Sequence, residues 1–368
     1  MTLREVIVEI IRRDGPIPFS RYMELCLYHP ELGYYSRREE KFGKAGDFYT
    51  SSDVHAVFGR LLARQFDEMW RVMGAPAEID LIELGPGRGL FAQDVLDWAG
   101  KKFSEFAAGL RYRMVESSPS LRERLQKRFA GDPRVTVYAE WERAAEDCGG
   151  ALIVFGNEFF DAIPVEIVSD KGELRIAEKN GEFVERWVEQ SGQTTEFLFR
   201  YGVNPGMGER VEAPRIGNAW MQRIASAFGE RRGFALFIDY GYTREQQVAG
   251  RHRDTLMTYR EHQTSPNAYE APGEQDITAH VNFTAIRQVA EANGMTSLGL
   301  VTQSQLLLGI GHETEFADAF EGCVLPQERV KVTLQLKHLI SPDGLGESFQ
   351  ALVLSRGVEG AGLSGLSF

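Results

Sequence analysis

Short apolar runs alternate along the chain with stretches whose apolar positions recur at helical spacing. The run Ile79 to Leu84 is followed by a helical pattern from about Gly89 to Ala99. Next come Tyr112 to Glu116, a helix over Ser120 to Phe129, and Val135 to Ala139. Strand and helix in this rhythm predict a parallel sheet built from right-handed crossovers. Ala151 to Gly156 and Phe234 to Ile238 are apolar on both faces, as central parallel strands must be. Thr296 to Thr302 and Phe349 to Ser355 can complete the sheet, so the expected fold is a doubly wound, mostly parallel α/β domain.

The flanking segments read differently. Residues 1–52 form an expected helical cap, broken at Gly15-Pro16-Ile17-Pro18 and resuming over Phe19 to Tyr28. Val57, Leu61, Phe66 and Met69 then mark a helix from Asp53 to Trp70, with Ser52 or Asp53 as its N-cap. Polar hairpin-like segments over 165–232, turning at Asp170-Lys171-Gly172 and Lys179-Asn180-Gly181, suggest an inserted lobe. This leaves 53–164 and 233–358 for the sheet domain, with a polar loop from Thr243 to Asn282 and a flexible tail at 359–368.

Composition narrows the function classes. The 368 residues are 43% hydrophobic and 26% charged, as in a folded globular protein. A net charge of -12 argues against nucleic acid and favours a basic partner, such as an arginine-bearing protein segment. The three cysteines, Cys26, Cys148 and Cys323, lack metal-site spacing, and no metal is expected. The amino terminus meets Arg12-Arg13-Asp14 too early for a signal peptide. No apolar run approaches the roughly 20 residues that cross a bilayer. A cytoplasmic protein without membrane insertion is expected.

The sharpest chemical signal is Glu83-Leu84-Gly85-Pro86-Gly87-Arg88-Gly89, where a buried strand enters a glycine turn that opens a helix. Its G-x-G-x-G spacing differs from the G-x-G-x-x-G of a pyrophosphate site. The carboxylate beside it would repel phosphate but suits the amino and sulfonium groups of S-adenosylmethionine. Read alone, the turn is either a ligand cradle or a plain connection. Glu116 ends the next strand, where it either accepts ribose hydroxyls or is a surface acid. Past the strand Ala151 to Gly156 stand Asn157, Glu158 and Asp161; the two acids can orient a cationic nucleophile, although Asp161 also fits an N-cap. Asp239, Tyr240 and Tyr242 follow a further strand, and Glu274, Asp276 and His280 are expected in a loop before a helix, where Asp276 or Thr278 fits a helix cap as well as catalysis.

These residues, with Met23-Glu24-Leu25, His29-Pro30, Gly33-Tyr34-Tyr35 and Gly46-Asp47-Phe48-Tyr49-Thr50-Ser51, resemble the MidA-like methyltransferases over most of the chain. The resemblance implies the Rossmann-like class I methyltransferase fold with S-adenosylmethionine as donor. For the family's mitochondrial member it implies symmetric dimethylation of an arginine in a respiratory complex I subunit. Residues and resemblance together place the donor against Gly46, Asp47, Glu83, Gly85, Pro86, Gly87, Gly89, Glu116 and Asn157, and assign catalysis to Glu158, Asp161 and Asp239. The expected partner is a protein substrate, a complex I subunit being one candidate, and a homo-oligomer stays open. An assembly chaperone and a small-molecule methyltransferase are the rival readings.

Overall fold

The computed structural model describes residues 1–36, 56–260, 263–358 and 362–367. The helix Leu3–Asp14 opens on a capping box: the Thr2 side chain accepts from the Glu5 amide at 3.3 Å, and the Thr2 amide donates to the Glu5 carboxylate at 2.8 Å. After the two-residue strand β1 (Ile17–Pro18), the helix Phe19–Tyr28 buries Phe19, Tyr22, Met23 and Cys26. The helix Ala56–Val72 follows, its expected caps Ser52 and Asp53 lying outside the described residues.

Four parallel strands come next: β2 (Ile79–Leu84), β3 (Leu110–Val115), β4 (Val135–Tyr138) and β5 (Ala151–Asn157). All six residues of β2 are buried because it lies between β3 and β5 with a hydrophobic core on each face. The pleat sends Ile79 and Leu81 into the core with Phe66 and Phe91, and Ile82 and Leu84 into the opposite core with Met221 and Phe228.

The inserted segment is an antiparallel sheet of β6 (Glu166–Ser169), β7 (Gly172–Lys179), β8 (Glu182–Val188) and β9 (Arg210–Ala213). Its tight turn runs through Asn180 at φ 56° and Gly181 at φ 85°, the left-handed pair that a two-residue hairpin requires. β1 pairs antiparallel with β7, so the cap and the insertion share a sheet. They also share a core containing Leu3, Ile7 and Phe19 with Ile167, Leu174 and Ile176.

The chain returns to the main sheet as β10 (Gly233–Tyr242). The polar stretch after it contains a small sheet of β11 (Met257–Arg260), β12 (Gln263–Ser265) and β13 (Asp276–Thr278). Asp276 and Thr278 are therefore strand residues and not helix caps. The next helix, Phe283–Ala292, is capped by Asn282, which with Val281 forms β14 against the end of β10. β15 (Thr296–Thr302) and β16 (Phe349–Arg356) complete the order β15-β16-β10-β5-β2-β3-β4, with β16 antiparallel to both neighbours. The fold class is as expected. The tail is not frayed where it is described: Leu363 is buried in the main core, and the amides of Ser364 and Gly365 donate to Glu68 and Gln65 at 2.9 and 3.1 Å.

One buried ion pair joins the parallel strands. Asp80 of β2 accepts from Arg113 Nε of β3 at 2.8 Å and from the Gly149 amide at 3.1 Å. Arg113 also donates to the Tyr138 hydroxyl and the Asp147 carbonyl, reaching β4 and the lead-in to β5. Asp80→Ala leaves that guanidinium buried and uncompensated, so urea unfolding should show a loss of about 3–5 kcal/mol. Asp80→Asn should recover part of it.

Candidate active site

The sheet order reverses between β2 and β5, where the chain leaves β2 towards β3 and β4 and then returns on the other side. At such a switch point the carboxyl ends of adjacent strands open a crevice. The β2 end carries the glycine turn, closed by the Gly85 amide on the Val115 carbonyl at 3.0 Å and the Gly89 amide on the Pro86 carbonyl at 2.8 Å. Pro86 is buried within it. Two of its glycines have different reasons. At Gly89, φ 72°, a Cβ would lie 2.6 Å from Leu125 Cδ2 and 2.8 Å from the Phe129 ring, so the residue is small for packing. At Gly87, φ 53°, a Cβ would meet nothing within 4 Å among the described residues, so this position borders open space there.

Two buried acids flank the turn. Glu83 accepts from the Tyr112 hydroxyl at 2.8 Å, and its carboxyl is pushed up to about 8 by burial, with Glu116 adding to the rise and Tyr112 opposing it. Glu116 follows β3 and accepts from the Ser118 amide at 2.8 Å. Burial pushes it up to about 7 against the amides of Ser118 and Gly87. Asn157, at the end of β5, donates to Glu158 at 3.0 Å while its own Oδ1 is buried without a hydrogen-bond partner among the described residues. Desolvated acids and an orphaned amide oxygen beside open space suit a ligand bearing ammonium, sulfonium and hydroxyl groups. S-adenosylmethionine has that donor set. Gly46 and Asp47 lie outside the described residues.

The second constellation is held by Asp239 of β10. Its Oδ2 accepts the amides of Phe159, Phe160 and Asp161 at 3.1, 2.9 and 3.2 Å, and its Oδ1 accepts that of Tyr240 at 2.9 Å. Asp239 thus organises the turn after β5, where Glu158 sits at φ 50° with its amide on the Ile238 carbonyl at 2.9 Å. Its carboxyl is pushed up to about 8 by burial and then by Glu158. Asp161 is 3% exposed, starts no helix, and lies well above the carboxylate range through burial, Asp239 and Asp276. Its Oδ1 has no hydrogen-bond partner among the described residues.

Residues not singled out in the sequence complete this half. Tyr35 of the cap donates its hydroxyl to Asp276 at 2.9 Å, and Tyr28 donates to the Ala162 carbonyl at 3.0 Å. Both phenols are pushed up by burial and by Asp276 and Asp161, which places these acids close by. Tyr259 feels Asp161, Asp276 and Glu158 in the same way. The only sequence signal was the Gly33-Tyr34-Tyr35 block, which carried no role. Tyr240 packs on Phe349 with ring centroids 4.0 Å apart, whereas Tyr242 is fully buried. His280 is engaged with His252, Nδ1 to Nδ1 at 3.0 Å, and is pushed down to about 4 by burial and that neighbour.

The family model described as "Putative S-adenosyl-L-methionine-dependent methyltransferase" matches residues 61–301. The chain belongs to this methyltransferase family. A Drosophila melanogaster relative, the mitochondrial protein arginine methyltransferase NDUFAF7 homolog, is 31% identical over 96% of this chain and 84% of its own. The human mitochondrial protein arginine methyltransferase NDUFAF7 is 26% identical over 94% and 81%. A Burkholderia thailandensis crystal structure with bound S-adenosyl-homocysteine superposes with a TM-score of 0.81 at 28% identity, covering 99% of this chain and 94% of that one. The methyltransferase uses S-adenosylmethionine as donor. The cytoplasmic expectation is corrected: the Drosophila melanogaster, Danio rerio and human relatives, which match over most of the chain, are mitochondrial proteins. No described helix is long and apolar enough to cross a membrane.

Gly87→Val places a branched side chain in the open space at a positive φ, and should weaken S-adenosylmethionine binding about tenfold or more in calorimetry, a factor equivalent to 1.4 kcal/mol. Gly89→Val should instead lower the melting temperature by clashing with Leu125 and Phe129.

Donor binding should also depend on pH. Acids raised by burial stabilise the ligand-free protein while protonated, and that stability is lost as pH rises through about 7 for Glu116 and about 8 for Glu83. A cationic donor favours the ionised forms, so its affinity should rise over the same window. Titrations between pH 6 and 8.5 check this, and Glu116→Gln should remove the component near 7.

Proposed function

We propose that this methyltransferase methylates a guanidinium nitrogen of arginine in a protein substrate. The observation that carries the reading is the acid group on the rim beside the donor turn, half-buried Glu158 with buried Asp161, Asp239 and Asp276. Such an assembly favours a cation as its occupant, and guanidinium matches carboxylates in two-point geometry. The names of the curated relatives support the same acceptor. The resemblance to the MidA-like family makes a respiratory complex I subunit the first substrate to try.

The donor would be held by Gly85, Pro86, Gly87 and Gly89 with Glu83, Glu116 and Asn157, and from the resemblance by Gly46 and Asp47. When bound it supplies an electrophilic methyl group on a sulfonium. The chain's own residues do the rest by alignment and exclusion of water. Glu158, aimed by its left-handed backbone, takes the guanidinium and localises charge away from the reacting nitrogen. Asp239 holds the turn that carries Glu158 and Asp161. Asp161, ionised once the guanidinium cation is seated beside it, receives at its Oδ1 the proton that the nitrogen gives up as the methyl group is transferred.

Glu158→Gln keeps the shape and removes the charge. It should bind donor within a few-fold of the parent and lose methyl transfer to an arginine peptide by roughly 10²-fold, the low end for a positioned catalytic group. Labelled donor with mass spectrometry of the product measures this, with a lysine peptide as control. A parent that binds donor and protein tightly without transfer would return the assembly-chaperone reading.

A further inference from the structure

The two halves of the site come from segments far apart in sequence, yet one residue of the amino-terminal cap touches both. The Tyr35 hydroxyl donates to both oxygens of Asp276, at 2.9 and 3.1 Å. Its main-chain carbonyl accepts from the Ser118 hydroxyl at 2.8 Å, and the Ser118 amide holds Glu116 at 2.8 Å. The Ser118 side chain also caps the helix Pro119–Arg128. The Tyr35 ring is fixed between Tyr28 and Tyr34, at centroid distances of 5.5 and 5.2 Å. Burial and Asp276 hold the phenol well above its ordinary value, so it stays a donor.

We propose that Tyr35 is a positioning residue that couples the donor half of the site to the acceptor half, so that occupation of the donor site orders the acid group that receives the substrate. A ribose bound at Glu116 orders residues 116–118. The Ser118 hydroxyl passes that restraint to the Tyr35 main chain, and the Tyr35 hydroxyl passes it to Asp276. A site that has lost this freedom already pays less entropy when the second ligand arrives, which is positive coupling without a large movement. The consequence is an order of events in which donor binding precedes productive capture of the acceptor.

The link rests on the arginine-methylation reading for what the acceptor half holds, but its test needs no acceptor. Amide hydrogen exchange of the whole protein, with and without S-adenosylhomocysteine, reports each half separately. In the parent, the ligand should slow exchange at residues 116–118 and also at Phe159, Phe160, Asp161, Ile277 and Ala279. Their amides bond to Asp239, Asp276 or the Asp161 carbonyl.

Tyr35→Phe removes only the hydroxyl. It should bind S-adenosylhomocysteine within about twofold of the parent and keep the protection at 116–118. The acceptor-side protection should fall about fivefold or more, the lower range of coupling between sites. With an arginine peptide as substrate, the same variant should raise KM more than it lowers kcat. Undiminished acceptor-side protection in Tyr35→Phe would overturn the proposal. Protection lost equally across β10 would also overturn it, by making the hydroxyl a general structural contact. If the parent transfers no methyl group to arginine but the exchange pattern holds, the acceptor assignment falls and the coupling stands.

Discussion

The carboxylate of Asp239 is the constraint on which the rest of the site depends. Three consecutive amides at the end of β5 converge on one of its oxygens, and the following amide of β10 occupies the other. A parallel sheet leaves the amides beyond its strand ends without ladder partners, and here a neighbouring strand's side chain takes them up. That choice bends the chain so that Glu158 adopts φ 50° and Asp161 turns inward. Asp239 was expected among the catalytic residues. Its geometry makes it the group that places Glu158 and Asp161, with both of its oxygens accepting main-chain amides.

The second constraint is electrostatic. Glu83, Glu116, Asp161 and Asp239 are all buried and all held above the usual carboxylate range, with burial the largest cause in each case. Without ligands the cheapest arrangement is protonation. A cationic donor beside Glu83 and Glu116 and a cationic acceptor beside Asp161 would reverse this, so binding and proton release are linked throughout the crevice. This stands apart from the Asp80–Arg113 pair deeper in the sheet, where the acid has its own cation and serves stability.

The cap and the inserted segment are the parts whose arrangement matters most beyond the sheet itself. They are remote in sequence, but β1 pairs with β7 and both supply side chains to one core, which Leu256, Ile277 and Ala279 of the loop region join. That shared core brings Tyr28 and Tyr35 over the rim of the sheet and sets Asp276 beside Asp161. The acceptor half is therefore built from four segments of the chain, the cap, the turn after β5, the end of β10 and β13, none of which carries the donor turn.

The sheet was legible because its signals are local. Strands buried on both faces are apolar at every position, the helices between them repeat every 3.6 residues, and a turn needing positive φ writes its glycines into the chain. Hence Ile79–Leu84, the turn through Gly89, and the acids closing the strands were readable one residue at a time. The partnership of each acid was not. Whether Asp276 caps a helix or receives a phenol 241 residues away depends on how the cap packs, and no spacing rule reaches that far. The same holds for Leu363, in a segment whose Gly and Ser content read as frayed although Leu363 enters the core and Leu366 packs against it. The sequence by itself determined the fold, the donor turn and the identity of the acids. Only the tertiary structure decided which acid is held as scaffold by main-chain amides and which keeps an open oxygen, because that depends on hydrogen bonds and desolvation between segments that meet nowhere along the chain.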